Sequence, residues 1–177
     1  EKTLQNRWKV TGNEQYTTVL DSTVLNASII EALRCNQIRR IYFVGQGTAG
    51  IAAQVCADIL GYYLNDSRIF IEALKSSELS GFKMSAHDSP DSMSDTLVIA
   101  ISQSGTTTDT NRTVDLVRGR GARTLAIVNR RDSDITFKVE GVMYTSSGRD
   151  IEMSVASTKA FYSQILAGAI LGPHMDA

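Results

Sequence analysis

The stretch VGQGTAGIAA, Val44–Ala53, follows the apolar run 41–43 and opens a segment of helical periodicity. Its glycines, Gly45, Gly47 and Gly50, have the G-x-G-x-x-G spacing of a strand that turns sharply into a helix. Free N–H groups and the positive dipole end at such a helix start can bind an anion. The stretch therefore predicts a phosphate-binding strand–loop–helix unit.

This spacing leaves the type of ligand open. Glu72 follows in the second predicted strand, about where the acidic residue of a dinucleotide site would bind a ribose hydroxyl. The glycines could equally serve another phosphorylated ligand. A purely structural interpretation is that they only allow the helix to pack closely on the strand.

The same alternation of strand, turn and helix recurs along the chain, and it predicts an α/β fold. We expect a three-layer α/β/α sandwich with a five-stranded parallel sheet, flavodoxin-like in strand order. We expect residues 1–177 to form a single domain, with a helical lead-in over 1–37 and a core over 38–172. The predicted strands are 38–45, 67–74, 96–102, 122–129 and 140–146, and the predicted helices are 19–36, 48–64, 106–121 and 155–171, the last one stopped by Gly172 and Pro173.

Composition argues against several classes of partner. The 18 basic and 19 acidic side chains give a net charge of −1, so no nucleic-acid partner is expected. No apolar run approaches the ~20 residues that span a bilayer, so no membrane association is expected. Two histidines are too few and too isolated for a metal site, and none is expected.

The chain ends and the cysteines suggest where the protein works. The first residues contain neither a secretory apolar region nor an initiator Met, so we expect a cytoplasmic protein and a fragment of a longer chain. Cys35 and Cys56 form no metal or redox motif, and we expect both to be buried free thiols.

A second loop, AISQSGTTTDT at Ala100–Thr110, ends the third predicted strand. Its segment 102–107 places hydroxyls, one amide side chain and one glycine at a helix start. Neutral hydroxyl and backbone donors can satisfy the three oxygens of a phosphate monoester without a lysine. The alternative is that these residues only cap the helix, with Asp109 favouring its dipole.

A third cluster, IEMSVASTKAF at Ile151–Phe161, leads into the last predicted helix. It can form a third wall of the same pocket, with the backbone of Val155 and the hydroxyl of Ser157 facing the ligand. It can equally be another capped helix start, with Ser154 or Ser157 as N-cap.

With these clusters in view, the chain resembles the sugar isomerase (SIS) domain family, most of all the first SIS domain of glucosamine-6-phosphate synthases. The family pattern SQSGETADT corresponds to SQSGTTTDT at 102–110, and EIGVASTKAF corresponds to EMSVASTKAF at 152–161. The strand GARTLAIVN at 121–129 also matches. The resemblance covers about residues 38–171.

The resemblance implies a sugar-phosphate site and no cofactor. By correspondence, the phosphate of a ketose 6-phosphate would be held by Ser102, Gln103, Ser104 and Thr107, and the sugar would be contacted by Thr48, the backbone of Val155 and Ser157. Two positions depart from the family pattern: Ala49 replaces a serine that binds phosphate, and Thr106 replaces an acidic residue.

The resemblance also implies that catalysis needs more than this segment. In that family the proton transfer depends on Glu, His and Lys residues of a second SIS domain and a C-terminal tail. We therefore expect this chain alone to bind its ligand without turning it over efficiently. The titratable side chains that could act as a base are Glu152, Lys159, His87 and Glu72, and Glu152 is the candidate because it lies next to the third cluster. Homodimerisation or pairing with a second SIS domain is expected.

Two other functions remain open at this point. The chain could be a regulatory SIS module that senses a phosphosugar and signals through a partner. It could also be a dinucleotide-binding enzyme, because its three spaced glycines and Glu72 fit that pattern.

Overall fold

The computed structural model describes residues 3–4, 7–10, 12, 16–64, 68–85, 87–146 and 158–175. A π-helical turn spans Leu79–Lys83, and a 3-10 turn spans Asp134–Phe137. The strands are β1 (Trp8–Val10), β2 (Tyr16–Thr18), β3 (Arg40–Gly45), β4 (Phe70–Lys75), β5 (Thr96–Ser102), β6 (Arg123–Val128) and β7 (Gly141–Tyr144). The helices are α1 (Ala27–Arg34), α2 (Thr48–Leu64), α3 (Ser76–Glu78), α4 (Thr108–Arg118) and α5 (Lys159–Met175).

Strands β3 to β7 form one parallel sheet in the order β4-β3-β5-β6-β7. The chain moves outward from β3 to β4 and then crosses back to β5, so the direction of winding changes between β3 and β5. Ligands of such sheets bind at the carboxyl ends of the strands beside this switch point. The predicted α/β/α fold with a five-stranded parallel sheet is confirmed.

Alternate residues of each central strand face opposite layers. Ile41 and Phe43 of β3 pack towards α1, α2 and α5, whereas Tyr42 and Val44 pack towards α4 and the π-helical turn. All seven residues of β5 are buried, as expected for a strand covered on both faces. The two apolar layers hold the carboxyl ends of β3 and β5 in fixed positions.

The first helix is shorter than the predicted 19–36. The side chain of Asn26 accepts a hydrogen bond from the Ile29 N–H at 2.9 Å, so the helix begins at Ala27. The segment before it forms a turn over 22–25, in which the Val24 N–H donates to Asp21 O at 2.9 Å, and Thr23 O accepts from the Val142 N–H of the sheet at 2.9 Å. Further upstream, β1 and β2 pair antiparallel, an element that the sequence pattern did not predict.

The last helix continues to Met175, beyond the predicted stop at Gly172 and Pro173. Gly172 serves packing, because a Cβ there would lie 2.5 Å from the Tyr63 ring of α2. Pro173 falls in the final turn of α5 and has no N–H to donate to the carbonyl of Ala169, so the helix continues there at the cost of one hydrogen bond. Among the described residues, no helix has the length and apolarity to cross a membrane.

The two cysteines differ in environment. Cys56 is a buried free thiol, as predicted, and burial raises its pKa to about 12. The expectation for Cys35 was wrong: it is an exposed free thiol directly after the last turn of α1, beyond the part of the helix that packs on the core.

Candidate functional site

The first glycine loop joins β3 to α2 and owes much of its sequence to close packing. A Cβ on Gly45 would lie 2.6 Å from Ala49 O, and one on Gly50 would lie 3.3 Å from Gly45 O. Gly47 instead has φ +58 and open space around it, so it is required for the turn itself. Two of the three glycines therefore bring the start of α2 against the end of β3, which places Thr48 at the first position of that helix.

Next to this turn lies a side chain that the sequence analysis passed over. Gln46 has its Oε1 buried, with no hydrogen-bond partner among the described residues. Thr48, two residues on, is half-buried. The amide oxygen of Gln46 and the hydroxyl of Thr48 thus both lie at the carboxyl end of β3.

The second loop follows β5, the strand next to β3. Val44 pairs with Ala100, so both strands end at the same edge of the sheet. Ser102 is 2% exposed, and its Oγ accepts a hydrogen bond from the Gly105 N–H at 3.0 Å. Its hydroxyl oxygen therefore shapes the turn from inside.

Gly105 is the tightest point of this loop. Its φ is +69, and a Cβ there would lie 2.0 Å from Ser133 Oγ. Ser133 is buried and donates to Arg130 O at 3.0 Å, so it has little freedom to move aside. The sequence showed the glycine but not Ser133, because the contact joins segments that are far apart along the chain.

The carbonyl groups of the loop bond to the segment after β6. Gln103 O accepts from the Arg130 N–H at 3.2 Å, and Gly105 O accepts from the Ile135 N–H at 3.0 Å. The N–H of the next residue points the opposite way in each planar trans peptide. The N–H groups of Ser104 and Thr106 are thereby turned away from this segment.

The hydroxyl groups of the loop are arranged for a polar ligand. Ser104 Oγ accepts from the Thr106 N–H at 3.2 Å and from its hydroxyl at 3.1 Å. Thr107 is the N-cap of α4 by its backbone angles, yet its side chain makes no capping hydrogen bond. No described residue accepts from the N–H of Ser104 or Thr108. This segment, Ser102–Thr108, is called the donor loop below.

Another residue missed by the sequence analysis supports the donor loop from α4. Asn111 is 5% exposed, and its amide reaches two carbonyl groups of the loop. The sequence does contain a signal for this role. Asn111 lies one helical turn before Val114, on the face of α4 that is buried and therefore expected to be apolar, so a polar residue there indicates a specific contact.

Positive charge lies at the same edge of the sheet, beyond β6 and β7. Arg131 stacks on the Tyr144 ring with its Cζ 4.4 Å from the ring centroid. Arg7 donates to Tyr144 O and, at 3.3 Å, to Thr3 O. Burial, and then the nearby charge of Arg131, lower the pKa of Arg7. These guanidinium groups favour an anion at this edge.

Glu72 does not take the position that a dinucleotide site requires. It pairs with Tyr42 in the middle of β4, three residues before the carboxyl end of that strand. Its carboxylate forms an ion pair with Lys83 Nζ at 2.9 Å. The Glu72 carboxylate is therefore distant from the carboxyl end of β4, where a ribose would bind, and it is already paired with Lys83.

The third predicted cluster is only partly described. Glu152, Val155 and Ser157 lie outside the described residues, and α5 begins at Lys159. Within the part of the chain that the structure does describe, no group of three His, Cys, Asp or Glu side chains could hold a metal ion.

Comparison with known proteins identifies the relatives of the chain. The model of the SIS domain family matches residues 35–172. Glutamine–fructose-6-phosphate aminotransferase (isomerizing) from Fusobacterium nucleatum is 37% identical over 148 residues, which are 84% of this chain and 23% of the relative. The enzyme of the same name from Thermus thermophilus is 34% identical over 142 residues, 79% of this chain and 21% of its own. The chain therefore spans less than a quarter of the length of these relatives.

Solved structures share the fold at low sequence identity. The C-terminal domain of glucosamine-fructose-6-phosphate aminotransferase from Francisella tularensis has a TM-score of 0.71 at 23% identity, covering 86% of this chain and 40% of its own. An Escherichia coli protein solved as a complex with a ligand has a TM-score of 0.64 at 16% identity, covering 88% of this chain and 78% of its own.

Proposed function

This chain belongs to the SIS domain family, and from that premise we propose that it is the phosphosugar-binding domain of a ketose/aldose-phosphate isomerase of the glucosamine-6-phosphate synthase type. Fructose 6-phosphate or a related sugar phosphate is its ligand. The names of the two aminotransferase relatives support this class of ligand. The ligand complex of the Escherichia coli protein supports ligand binding on the same fold.

The donor loop is the observation that carries the proposal. Its carbonyl groups at Gln103, Gly105 and Thr107 bond to the protein. The N–H groups of Ser104 and Thr108 and the hydroxyls of Ser104 and Thr107 remain for a ligand. A phosphate dianion accepts such bonds at every oxygen, and each bond to a charged group contributes about 1.5–3 kcal/mol. The guanidinium groups of Arg131 and Arg7 lie at the same edge of the sheet and add positive charge there.

The roles of individual residues follow from this proposal. The phosphate is held by Ser102, Gln103, Ser104 and Thr107, with Ser102 acting mainly through the shape of the turn. The sugar is contacted by Thr48, the backbone of Val155 and Ser157. Glu152 remains the candidate for a base.

Calorimetry tests the proposal directly. Fructose 6-phosphate and glucosamine 6-phosphate should each give saturable binding heat, whereas fructose and NAD should give none. Fructose controls for the sugar ring, and NAD tests the dinucleotide alternative. Tight binding of NAD with no signal from either sugar phosphate would refute the proposal.

We also propose that residues 1–177 form one domain, part of a longer protein, which pairs with a second SIS domain or a second copy. Exposed apolar side chains on α2 and α5 support pairing: Ile51, Tyr62 and Tyr162 are 58%, 83% and 71% exposed. Sedimentation should show a dimer that Tyr62→Asp dissociates; a monomer at every concentration would contradict self-pairing.

Free thiols at Cys35 and Cys56 support a cytoplasmic location.

A further inference from the structure

Asn111 lies in the first turn of α4, directly beneath the donor loop. Its Nδ2 donates to Gly105 O at 3.0 Å and to Thr107 O at 3.1 Å. Its backbone N–H also donates to Thr107 O at 3.0 Å. One buried amide thus joins two carbonyl groups on either side of Thr106.

The orientation of this amide is fixed by its surroundings. A flipped amide would place Oδ1 against the two carbonyl oxygens, which cannot donate a hydrogen bond. In the observed orientation Oδ1 is buried with no partner among the described residues. A buried acceptor without a partner destabilises the folded state, so a leucine of similar shape would serve the stability of α4 about as well.

The advantage of the amide lies in what it does to the loop. Within a trans peptide the C=O and the following N–H point in opposite directions. Holding Gly105 O and Thr107 O inward therefore turns the N–H groups of Thr106 and Thr108 outward, where the Thr106 N–H donates to Ser104 Oγ at 3.2 Å and no described residue accepts from the Thr108 N–H. We infer that Asn111 is a positioning residue that presets the N–H groups of the donor loop for an anionic group of the ligand, its phosphate if the proposed function holds.

Asn111→Leu tests this inference, with Thr110→Val as the matched control on the same helix. Asn111→Leu should raise the Kd for fructose 6-phosphate roughly tenfold, because the loop must be ordered on binding. Its Tm should stay near that of the parent protein, because the unpartnered oxygen is removed with the two bonds. Thr110 Oγ1 bonds Ser76 Oγ at 3.1 Å and not the loop, so Thr110→Val should lower Tm and leave Kd unchanged.

Amide NMR spectra of the ligand-free proteins give a second measurement. The resonances of Thr106 and Thr108 should shift in Asn111→Leu and stay in place in Thr110→Val. Asn111→Asp, which sets a carboxylate against both carbonyl groups, should shift them as well and serves if the leucine variant does not fold.

The outcomes separate the inference from the proposed function. An Asn111→Leu protein that binds fructose 6-phosphate as tightly as the parent, with unshifted amides, overturns the positioning role. A parent protein that binds neither sugar phosphate refutes the proposed function instead. In that case the amide chemical shifts alone test whether Asn111 orients the N–H groups of the donor loop.

Discussion

Replacing Gly105 with alanine tests the geometry of the donor loop without any assumption about the ligand. The left-handed φ of +69 costs a residue with a Cβ about 1–2 kcal/mol. The new Cβ would also lie 2.0 Å from Ser133 Oγ, which is buried and bonded to Arg130 O. Displacing such a side chain costs about 1–3 kcal/mol. Together these effects should lower the free energy of unfolding by roughly 2–5 kcal/mol.

Two other glycines separate the contributions. Gly47 has a left-handed φ of +58 but open space around it, so Gly47→Ala should lower the free energy of unfolding by only about 1–2 kcal/mol. Gly61 lies in α2 with no atom near the added Cβ, so Gly61→Ala should raise the free energy of unfolding by about 0.5–1 kcal/mol. Urea denaturation of the three variants should give this order of stability.

A double variant identifies the clash itself. In Gly105→Ala/Ser133→Gly the blocking side chain is gone, so the coupling free energy from the double-mutant cycle should be about 1–3 kcal/mol. The φ contribution should persist in the double variant. If Gly105→Ala is as stable as the parent, or if the cycle shows no coupling with Ser133, the derived loop geometry is wrong.

Three further predictions concern binding and chemistry. Ser104→Ala and Thr107→Ala should each weaken fructose 6-phosphate binding about tenfold in calorimetry, and Thr107→Ala should leave Tm unchanged because its hydroxyl caps nothing; a lower Tm with unchanged affinity would favour the capping interpretation. In native protein a thiol reagent should modify one exposed cysteine, Cys35, and reach Cys56 only after unfolding; two native reactive thiols would contradict the buried site. The chain alone should not speed deuterium exchange at C1 of fructose 6-phosphate, followed by NMR, since its donor motifs hold no evident base; fast exchange abolished by Glu152→Gln would identify that residue as the base.

Local pattern was sufficient for most of the architecture. Helix 48–64 and strand 96–102 were predicted with the bounds that the structure has, because periodicity and glycine turns are properties of neighbouring residues. The loops after β3 and β5 were also predicted at the carboxyl ends of adjacent strands. Parallel strands joined by right-handed crossovers leave few other arrangements.

Long-range contacts decided what the pattern could not. Residues 22–25 form a turn, and Thr23 O bonds to the Val142 N–H of the sheet. Helix α5 continues past Gly172, which packs closely against the Tyr63 ring of α2. Both oppose the local signals of their own segments. Sequence patterns do not show which distant residue will fill the space beside a backbone.

The sequence by itself thus determined the fold class and the hydroxyl-rich composition of the donor loop. Only the tertiary structure decided which groups of that loop are available, because Ser133 and Ile135 reach it from beyond β6. It also separated Gly45, which packs against α2, from Gly105, which is needed for its backbone angle. Identical residues in similar motifs differ in role because burial and close approach are set by the whole fold.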